Sequence, residues 1–217
     1  MSLADRVRHP AFLERVMSAE EAAALIPAGA NVGMSGFTGA GHPKAVPQAL
    51  AAHAKAEHAA GKPYKINLWT GASTAPELDG ALAAANALGQ RLPFNTDPIC
   101  RNKINTGEID FIDMHLSHVA QHAWFGFLGP LHVAVIEVLG VTADGLLIPA
   151  AAVGNNKTWL DLADKVIIEV NRRQPIGLDG MHDIYYGTAL PPDRKPIPLV
   201  RPGDRFGEPY LRCDPDK

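Results

Sequence analysis

The sequence predicts an α/β domain with an open, mainly parallel sheet and helices on both faces. Three observations predict this fold class. Hydrophobic residues make up 47% of the 217 residues, apolar β-branched stretches alternate with alanine-rich ones, and 131–141 is almost continuously apolar. A strand that is buried on both faces of a parallel sheet has that last composition. Strands and helices that alternate at short spacing are typical of such a sheet.

The first half of the chain carries clear helix and strand boundaries. Ser18 and Glu21 form a capping-box pattern that opens a helix over 19–26, and Pro27 follows it. The next predicted elements are a strand at 30–37, a helix from Pro43 to about 60, a strand at 64–70 and a helix that ends near 87.

The second half continues the alternation. Its predicted elements are a short strand at 91–94, a helix opened by Asp97 and Pro98, a strand at 111–116, the strand 131–141, a regular segment at 146–153, a helix at 157–163 and a strand at 165–170. No internal repeat interrupts this order.

Prolines concentrate in the last 27 residues, at positions 191, 192, 196, 198, 202, 209 and 215. Proline removes a backbone donor and cannot continue a helix. We therefore expect an α/β domain over 1–187 and a proline-rich extended C-terminal arm over 188–217.

Composition excludes several function classes. The 20 basic and 23 acidic residues give a net charge of -3, whereas a nucleic-acid binder is normally basic on one face. Two cysteines, Cys100 and Cys213, cannot build a disulfide scaffold or a zinc ribbon. A charged N-terminus and the lack of 18 consecutive apolar residues predict a cytoplasmic chain without a membrane partner.

Four predicted strand-to-helix turns share small, hydroxyl and carboxamide residues. They cover 35–43, 70–77, 94–98 and 153–156. Ligands of open parallel sheets bind where such turns converge, and helix N-termini favour anions. The turns therefore predict a pocket for a small anion or a polarised carbonyl. The alternative is that Thr74, Glu77, Asp97 and Asn156 are ordinary helix caps.

The glycines of the first turn do not form a nucleotide motif. Gly36, Gly39 and Gly41 have the wrong spacing for the dinucleotide fingerprint. Nor is the turn a P-loop, because Lys44 is followed by alanine where a P-loop has serine or threonine.

Five segments in order carry a specific resemblance. They are GFTGAGHPKAVP (36–47), INLWTGASTAPELDG (66–80), PFNTD (93–97), VGNN (153–156) and KVIIEVN (165–171). From about residue 10 to the end, the chain resembles the N-terminal half of class I CoA-transferases. It is most similar to the subgroup of succinyl-CoA:acetate CoA-transferases and acetyl-CoA hydrolases.

The resemblance implies a two-domain enzyme with its active site at the domain junction. The arm over 188–217 is then expected to lead to a C-terminal catalytic domain that this chain lacks. A glutamate of the second half attacks the acyl-CoA thioester, so no catalytic residue is assigned here and the isolated chain is expected to be inactive. Coenzyme A is a substrate and no cofactor or metal is implied. The partners are acyl-CoA, a small carboxylate such as acetate or succinate, and the C-terminal half, with a homodimer expected at full length.

This half would supply the acyl pocket. The substrate-binding residues that the resemblance implies are Gly36, Phe37, Thr38, Gly39, Gly41, Ser73, Asn95, Thr96 and Asn155. Glu137 and Glu169 lie within apolar strands, where a carboxylate is usually paired, so we expect structural roles for both. A second carboxylate, as in succinate, would call for a cation, and Arg101 is the arginine closest in sequence to the turns. Hydrolase and transferase activities both remain open.

Two other functions stay as alternatives. One is a sugar-phosphate isomerase-like domain, which would need acid–base groups beside a phosphate-binding turn. Lys44 is the one residue of the sequence that suggests such a group. A non-catalytic acyl-CoA-binding module is the other.

Three further features are given structural interpretations. His115, His118 and His122 share a helical face but lack the acidic or cysteine ligand that would complete a zinc site. The aromatic stretch 124–127 is interpreted as core, or else as a contact for the second half. Cys100 is interpreted as a small buried side chain.

Overall fold

A six-stranded path and one further strand form the central sheet of the computed structural model, which describes residues 2–187 and 189–217. The strands are β1 Asn31–Met34, β2 Phe37–Thr38, β3 Ile66–Trp69, β4 Ala72–Ser73, β5 Leu88–Leu92, β6 Asp110–Phe111, β7 Val133–Val141, β8 Leu147–Pro149 and β9 Lys165–Val170. The α-helices are α1 Leu3–Arg6, α2 Pro10–Leu13, α3 Ala19–Ala24, α4 Ala45–Ala59, α5 Ala81–Ala84, α6 Pro98–Asn105, α7 Leu116–Trp124 and α8 Asn156–Leu162. A π-helical turn, Pro76–Gly80, precedes α5, and a 3₁₀ turn covers Ile176–Leu178.

The main sheet has the order β6-β5-β3-β1-β7-β8, and β9 also pairs with β7. All of these pairs are parallel except β7 with β8. The chain winds outward from β1 to β6 and then returns to β7 on the other side of β1. This reversal makes the carboxyl end of β1 the topological switch point, where open parallel sheets bind ligands.

Alternate residues of the strands fill two large cores, and Leu139, Ile148 and Ala150 form a smaller third cluster. One core holds Val32, Leu68 and Val135 and packs against α3, α4, α5 and α6. The other holds Trp69 and Ile136 and packs against α7 and α8. Because side chains alternate across a strand, the two cores lie on opposite faces of the sheet. The predicted mainly parallel α/β fold with helices on both faces is confirmed.

Helix caps follow the local sequence closely. Ser18 and Glu21 form the predicted capping box of α3. The Asp97 carboxylate accepts hydrogen bonds from the amides of Ile99 and Cys100 and caps α6, also as predicted. The interpretation of Thr74 and Glu77 as helix caps is wrong, because Ala75 is the N-cap of the following helical turn and makes no side-chain cap bond.

Three predicted boundaries are corrected by the backbone. The alanine-rich helix ends at Ala84, because Asn86 adopts a positive φ of 55°. The strand predicted at 91–94 runs over Leu88–Leu92, and Pro93, which has no amide to donate, follows it. The strand predicted at 111–116 has only two residues, Asp110–Phe111, and Leu116 already begins α7.

The proline-rich segment has two parts in the described residues. Residues 189–205 contain no helix or strand, and most of them are exposed. Farther on, Leu211 is fully buried and forms a bridge with Leu147 of β8, and Glu208 forms a bridge with Ile184. Thr188 lies outside the described residues, and the domain boundary at 187/188 stays a prediction.

The longest described helix, α4, has 15 residues. Within residues 2–187 and 189–217, no helix combines the length and the apolar character that crossing a membrane requires.

Candidate functional site

The turns after β1 and β3 are joined by a small second sheet. Its strands β2 and β4 pair in parallel, with Phe37 opposite Ala72 and Thr38 opposite Ser73. Thr38 has a φ of 48°, which a β-branched residue rarely adopts. The backbone of the first two turns is thereby fixed side by side at the switch point.

The turn that precedes α8 is tied to the same place. The Asn155 amide donates to Ser35 Oγ over 2.9 Å, and Asn155 Nδ2 donates to the carbonyl of Thr70 over 3.3 Å. Asn155 therefore bridges the ends of β1 and β3. Its side chain does not cap α8.

Thr74 connects the second turn to the third. Its Oγ1 accepts hydrogen bonds from the amides of Thr96 (3.1 Å) and Asp97 (3.2 Å) and donates to Asp79 Oδ2 (3.0 Å). Because these bonds occupy its hydroxyl, Thr74 is a connector between turns and not a helix cap. All four predicted turns thus meet in one hydrogen-bonded group.

Glycine is required where the turns touch. A Cβ at Gly36 would lie 2.3 Å from the carbonyl oxygen of Ala40, and one at Gly41 would lie 2.6 Å from backbone atoms of Ala152. Gly41 also has a φ of 69°. Gly39 differs, since nothing lies within 4 Å of a Cβ built there.

The predicted binding residues all lie on these joined turns. Ser73 is fully buried, whereas Phe37 is 61% exposed and Thr96 is also exposed. Among the described residues, Ser73 Oγ has no hydrogen-bond partner. Asn95 Nδ2 donates to the carbonyl of Asp97 over 3.2 Å. Substrate binding by these residues stays a prediction.

Sequence reasoning missed a buried ion pair beneath the second turn. Arg91 in β5 and Asp79 are both fully buried, with Nη2 and Oδ2 3.2 Å apart. Asp79-Gly80 looks like an ordinary turn in the sequence. The available signal was a charge of each sign inside otherwise apolar segments. Arg101, the arginine considered for a second carboxylate, is exposed on α6.

A second charged group anchors the end of the first turn. Lys44 Nζ donates to Glu137 Oε1 over 2.9 Å and to the carbonyl of His42 over 2.6 Å. His42 is fully buried, and its Nε2 lies 3.2 Å from Glu77 Oε1. Burial, followed by the nearby Lys44 charge, lowers the pKa of His42. The Lys44 ammonium is therefore paired within the protein, which does not support an isomerase acid–base role.

The two strand glutamates are paired, as their sequence setting predicts. Glu137 Oε1 also accepts from Asn171 Nδ2 over 2.6 Å. The Glu169 carboxylate accepts from the amides of Lys44 (2.7 Å) and Val46 (2.9 Å) at the start of α4. Glu169 is thus a cap for α4, and Glu137 is a counter-ion for Lys44.

The remaining sequence features have surface or packing roles. Interpretation of the aromatic stretch 124–127 as core is wrong for Phe125 and Phe127, which are 41% and 70% exposed and stack 5.3 Å apart. His115 caps α7 by accepting from the Ser117 amide. Cys100 is fully buried as predicted, and burial raises its pKa to about 12.

Comparison with known proteins gives a consistent result. The family profile described as "Acetyl-CoA hydrolase/transferase N-terminal domain" matches residues 1–189. The succinyl-CoA:acetate CoA-transferase of Clostridium kluyveri is 42% identical over 212 residues, which cover 98% of this chain and 39% of the relative. The acetyl-CoA hydrolase of Yarrowia lipolytica is 37% identical over 224 residues, which cover 99% of this chain and 42% of the relative.

A further relative is the propanoyl-CoA:succinate CoA transferase of Escherichia coli, 43% identical over 93% of this chain and 41% of the relative. The chain thus spans about two fifths of the length of these relatives. Among solved structures, RipA from Yersinia pestis has a TM-score of 0.57 at 19% identity and covers 76% of this chain and 38% of its own. Glutaconate coenzyme A-transferase from Acidaminococcus fermentans has a TM-score of 0.55 at 10% identity. The match covers 71% of this chain and 68% of the transferase chain. At these identities the two structures support the fold alone.

Proposed function

This chain belongs to the family of acetyl-CoA hydrolase/transferase N-terminal domains, and from this premise we propose that it supplies the acyl and carboxylate pocket of an acyl-CoA:carboxylate CoA-transferase or acetyl-CoA hydrolase. A second half of the enzyme supplies the nucleophilic glutamate. Coenzyme A is a substrate in this proposal, and the chain alone is inactive.

One observation carries the proposal: the four turns converge at the switch point and leave the Ser73 hydroxyl without a partner among residues 2–187 and 189–217. A buried hydroxyl without a partner is costly, and a ligand oxygen can satisfy it. We assign the Ser73 hydroxyl as one donor to the bound carboxylate. The Thr96 hydroxyl, which donates to Thr74 Oγ1 over 3.3 Å in this structure, is assigned as a second donor that exchanges this bond for one to the ligand. Both belong to segments that Thr74 ties together.

In the proposed chemistry these hydroxyls orient the carboxylate and take no part in bond making or breaking. The second-half glutamate adds to the thioester carbonyl and expels CoA as a thiolate, which leaves an acyl–glutamyl anhydride. The thiolate then attacks the glutamyl carbonyl of that anhydride. A glutamyl-CoA thioester forms and the first carboxylate departs. An acceptor carboxylate reverses the two steps and leaves as its own CoA thioester.

Hydrolysis differs from transfer in one step. Water attacks the anhydride in place of the CoA thiolate, giving the free acid and regenerating the glutamate. The turns of this chain would form one wall of the closed cleft, so they contribute to excluding that water. We propose acetate-sized acyl groups because the groups assigned to the pocket are hydroxyls and small residues. The nearby Arg91 guanidinium is already paired with Asp79.

Complementation tests the proposal. The chain would be mixed with the remainder of the C. kluyveri enzyme, that is, the part that does not align with it. The positive control is the aligned N-terminal fragment of that enzyme with the same remainder. We expect acetate-dependent CoA transfer from succinyl-CoA in both mixtures and none from the chain alone. A working control beside an inactive mixture of folded proteins would refute the proposal.

A further inference from the structure

Arg91 holds the backbone of the second turn from beneath. Its Nη1 donates to Thr70 Oγ1 over 2.9 Å, and its Nη2 donates to the carbonyl of Ser73 over 2.9 Å. Nη1 also donates to the carbonyl of Leu92 in its own strand. One planar guanidinium thus joins the end of β5 to two residues of the second turn, Thr70 and Ser73. A lysine has a single ammonium and could not reproduce this fork.

Hydrogen bonds to Asp79 connect this network to the third turn. Its Oδ1 accepts from the Ala75 amide over 2.7 Å, and its Oδ2 accepts from Thr74 Oγ1. Thr74 Oγ1 in turn receives the amides of Thr96 and Asp97. The Asp79 carboxylate is therefore linked to the third turn through a single hydroxyl.

The energetics of such a pair favour a role beyond stability. Arg91 and Asp79 are both 0% exposed, and removing two charges from water is expensive. Buried ion pairs are often no more stabilising than apolar residues of similar volume. What this pair uniquely supplies is orientation, because its directional bonds hold the turn of Ser73 directly and reach the turn of Thr96 through Thr74. Within the described part of the chain, Ser73 Oγ has no hydrogen-bond partner in this network.

We propose that Arg91 and Asp79 are positioning residues that set the Ser73 and Thr96 hydroxyls for the carboxylate. They act through those hydroxyls and do not touch the substrate. This inference rests on the proposed function for its kinetic consequence, while its structural half concerns this chain alone.

Amide hydrogen exchange on the chain tests the structural half without any activity. In R91K we expect exchange to accelerate at least about tenfold at the amides of Ala75, Thr96 and Asp97. The amide of Asn155, bonded to Ser35, should keep its wild-type rate. K103R is the matched control, since Lys103 pairs with Glu108 on the surface. Unchanged rates at all three amides in R91K would overturn the proposal.

A double-mutant cycle tests the kinetic half in the active mixture of the two halves. R91K should raise the KM for acetate about tenfold and leave the KM for succinyl-CoA within about twofold. In an S73A background the same substitution should add little, because residues that act as a unit are not additive. A merely structural role would lower kcat without this split. Equal R91K effects in both backgrounds would refute action through Ser73.

A second variant tests the proposal if R91K does not fold. The R91M/D79N pair removes both charges and keeps an acceptor for the Ala75 amide. We expect it to fold and to show the same raised KM for acetate, whereas a wild-type KM would overturn the proposal. Failure of the proposed function has a different signature: no CoA transfer by the wild-type mixture, together with the exchange changes expected of R91K.

Discussion

The amide of Asn155 donates to the hydroxyl of Ser35 over 2.9 Å, across 120 residues of sequence. Ser35 follows β1 and Asn155 precedes α8, so this bond closes the turns on the two sides of the switch point. Both residues also contact the second turn: a Cβ at Gly71 would lie 3.2 Å from Ser35 Oγ and 3.1 Å from Asn155 Nδ2. The site is therefore held by contacts between turns and not by any one loop.

Replacing Ser35 with alanine tests that bond. Ser35 is fully buried, so the variant leaves the Asn155 amide without its acceptor. We expect the free energy of unfolding to fall by about 1–3 kcal/mol. Urea denaturation measures the change. The control is S117A, at an exposed serine, which should stay within about 0.5 kcal/mol of wild type. Equal stability of the two variants would contradict the role of this bond.

Alanine substitutions at two glycines of the first turn should change stability in different ways. Alanine at Gly41 places a Cβ 2.6 Å from the backbone of Ala152 at a φ of 69°, so we expect a loss of about 2–4 kcal/mol. Alanine at Gly39 meets no atom within 4 Å and should be neutral or stabilising by up to about 1 kcal/mol. Thermal unfolding compares the pair. A destabilised G39A beside a tolerated G41A would show that the turn is folded differently.

Cys100 should be unreactive in the folded chain. Burial raises the pKa of its thiol from 9.0 to about 12, above that of an unfolded cysteine. The protonated form thus stabilises the fold fully below about pH 9, and this contribution is lost as the pH rises toward 12. Iodoacetamide at pH 8 should label Cys100 only after denaturant is added, as peptide mass mapping would reveal. Rapid labelling of the native chain would contradict its burial.

His42 predicts a dependence of stability on acid. Burial and the Lys44 charge lower its pKa, so the neutral ring is the form that stabilises the fold. That contribution is complete above the unfolded value of about 6.5 and is lost as the pH falls below it. Between pH 7.5 and 5.5, the unfolding free energy should fall more in wild type than in H42Q. H118Q, at an exposed histidine, is the control and should follow wild type. If H42Q also follows wild type, His42 is not the group responsible.

The parts of the fold that the sequence predicted are those encoded by neighbouring residues. The β-branched runs of β7 and β9 predict both strands, and the Ser18 and Asp97 caps act within three residues. The four turns were recognisable because each follows a strand and carries small polar residues. The convergence of the first three follows from parallel topology, whereas the fourth follows β8, which is antiparallel to β7.

The parts that the sequence could not predict depend on distant partners. Arg91 appears as one polar residue in a strand until Asp79, 12 positions away, is placed against it. The pairing of β2 with β4 joins segments of only two residues, too short for any periodicity. The exposure of Phe125 and Phe127 is likewise decided by the end of α7 and not by their own hydrophobicity.

The central claim is that the joined turns of this chain bind the carboxylate. The most direct test is the KM for acetate of the active mixture of the two halves with S73A, beside the S117A control. We predict a rise of about tenfold or more for S73A, because a buried donor to the carboxylate is lost, with the KM for succinyl-CoA within about twofold. A KM for acetate that is identical in S73A, S117A and wild type would contradict the claim.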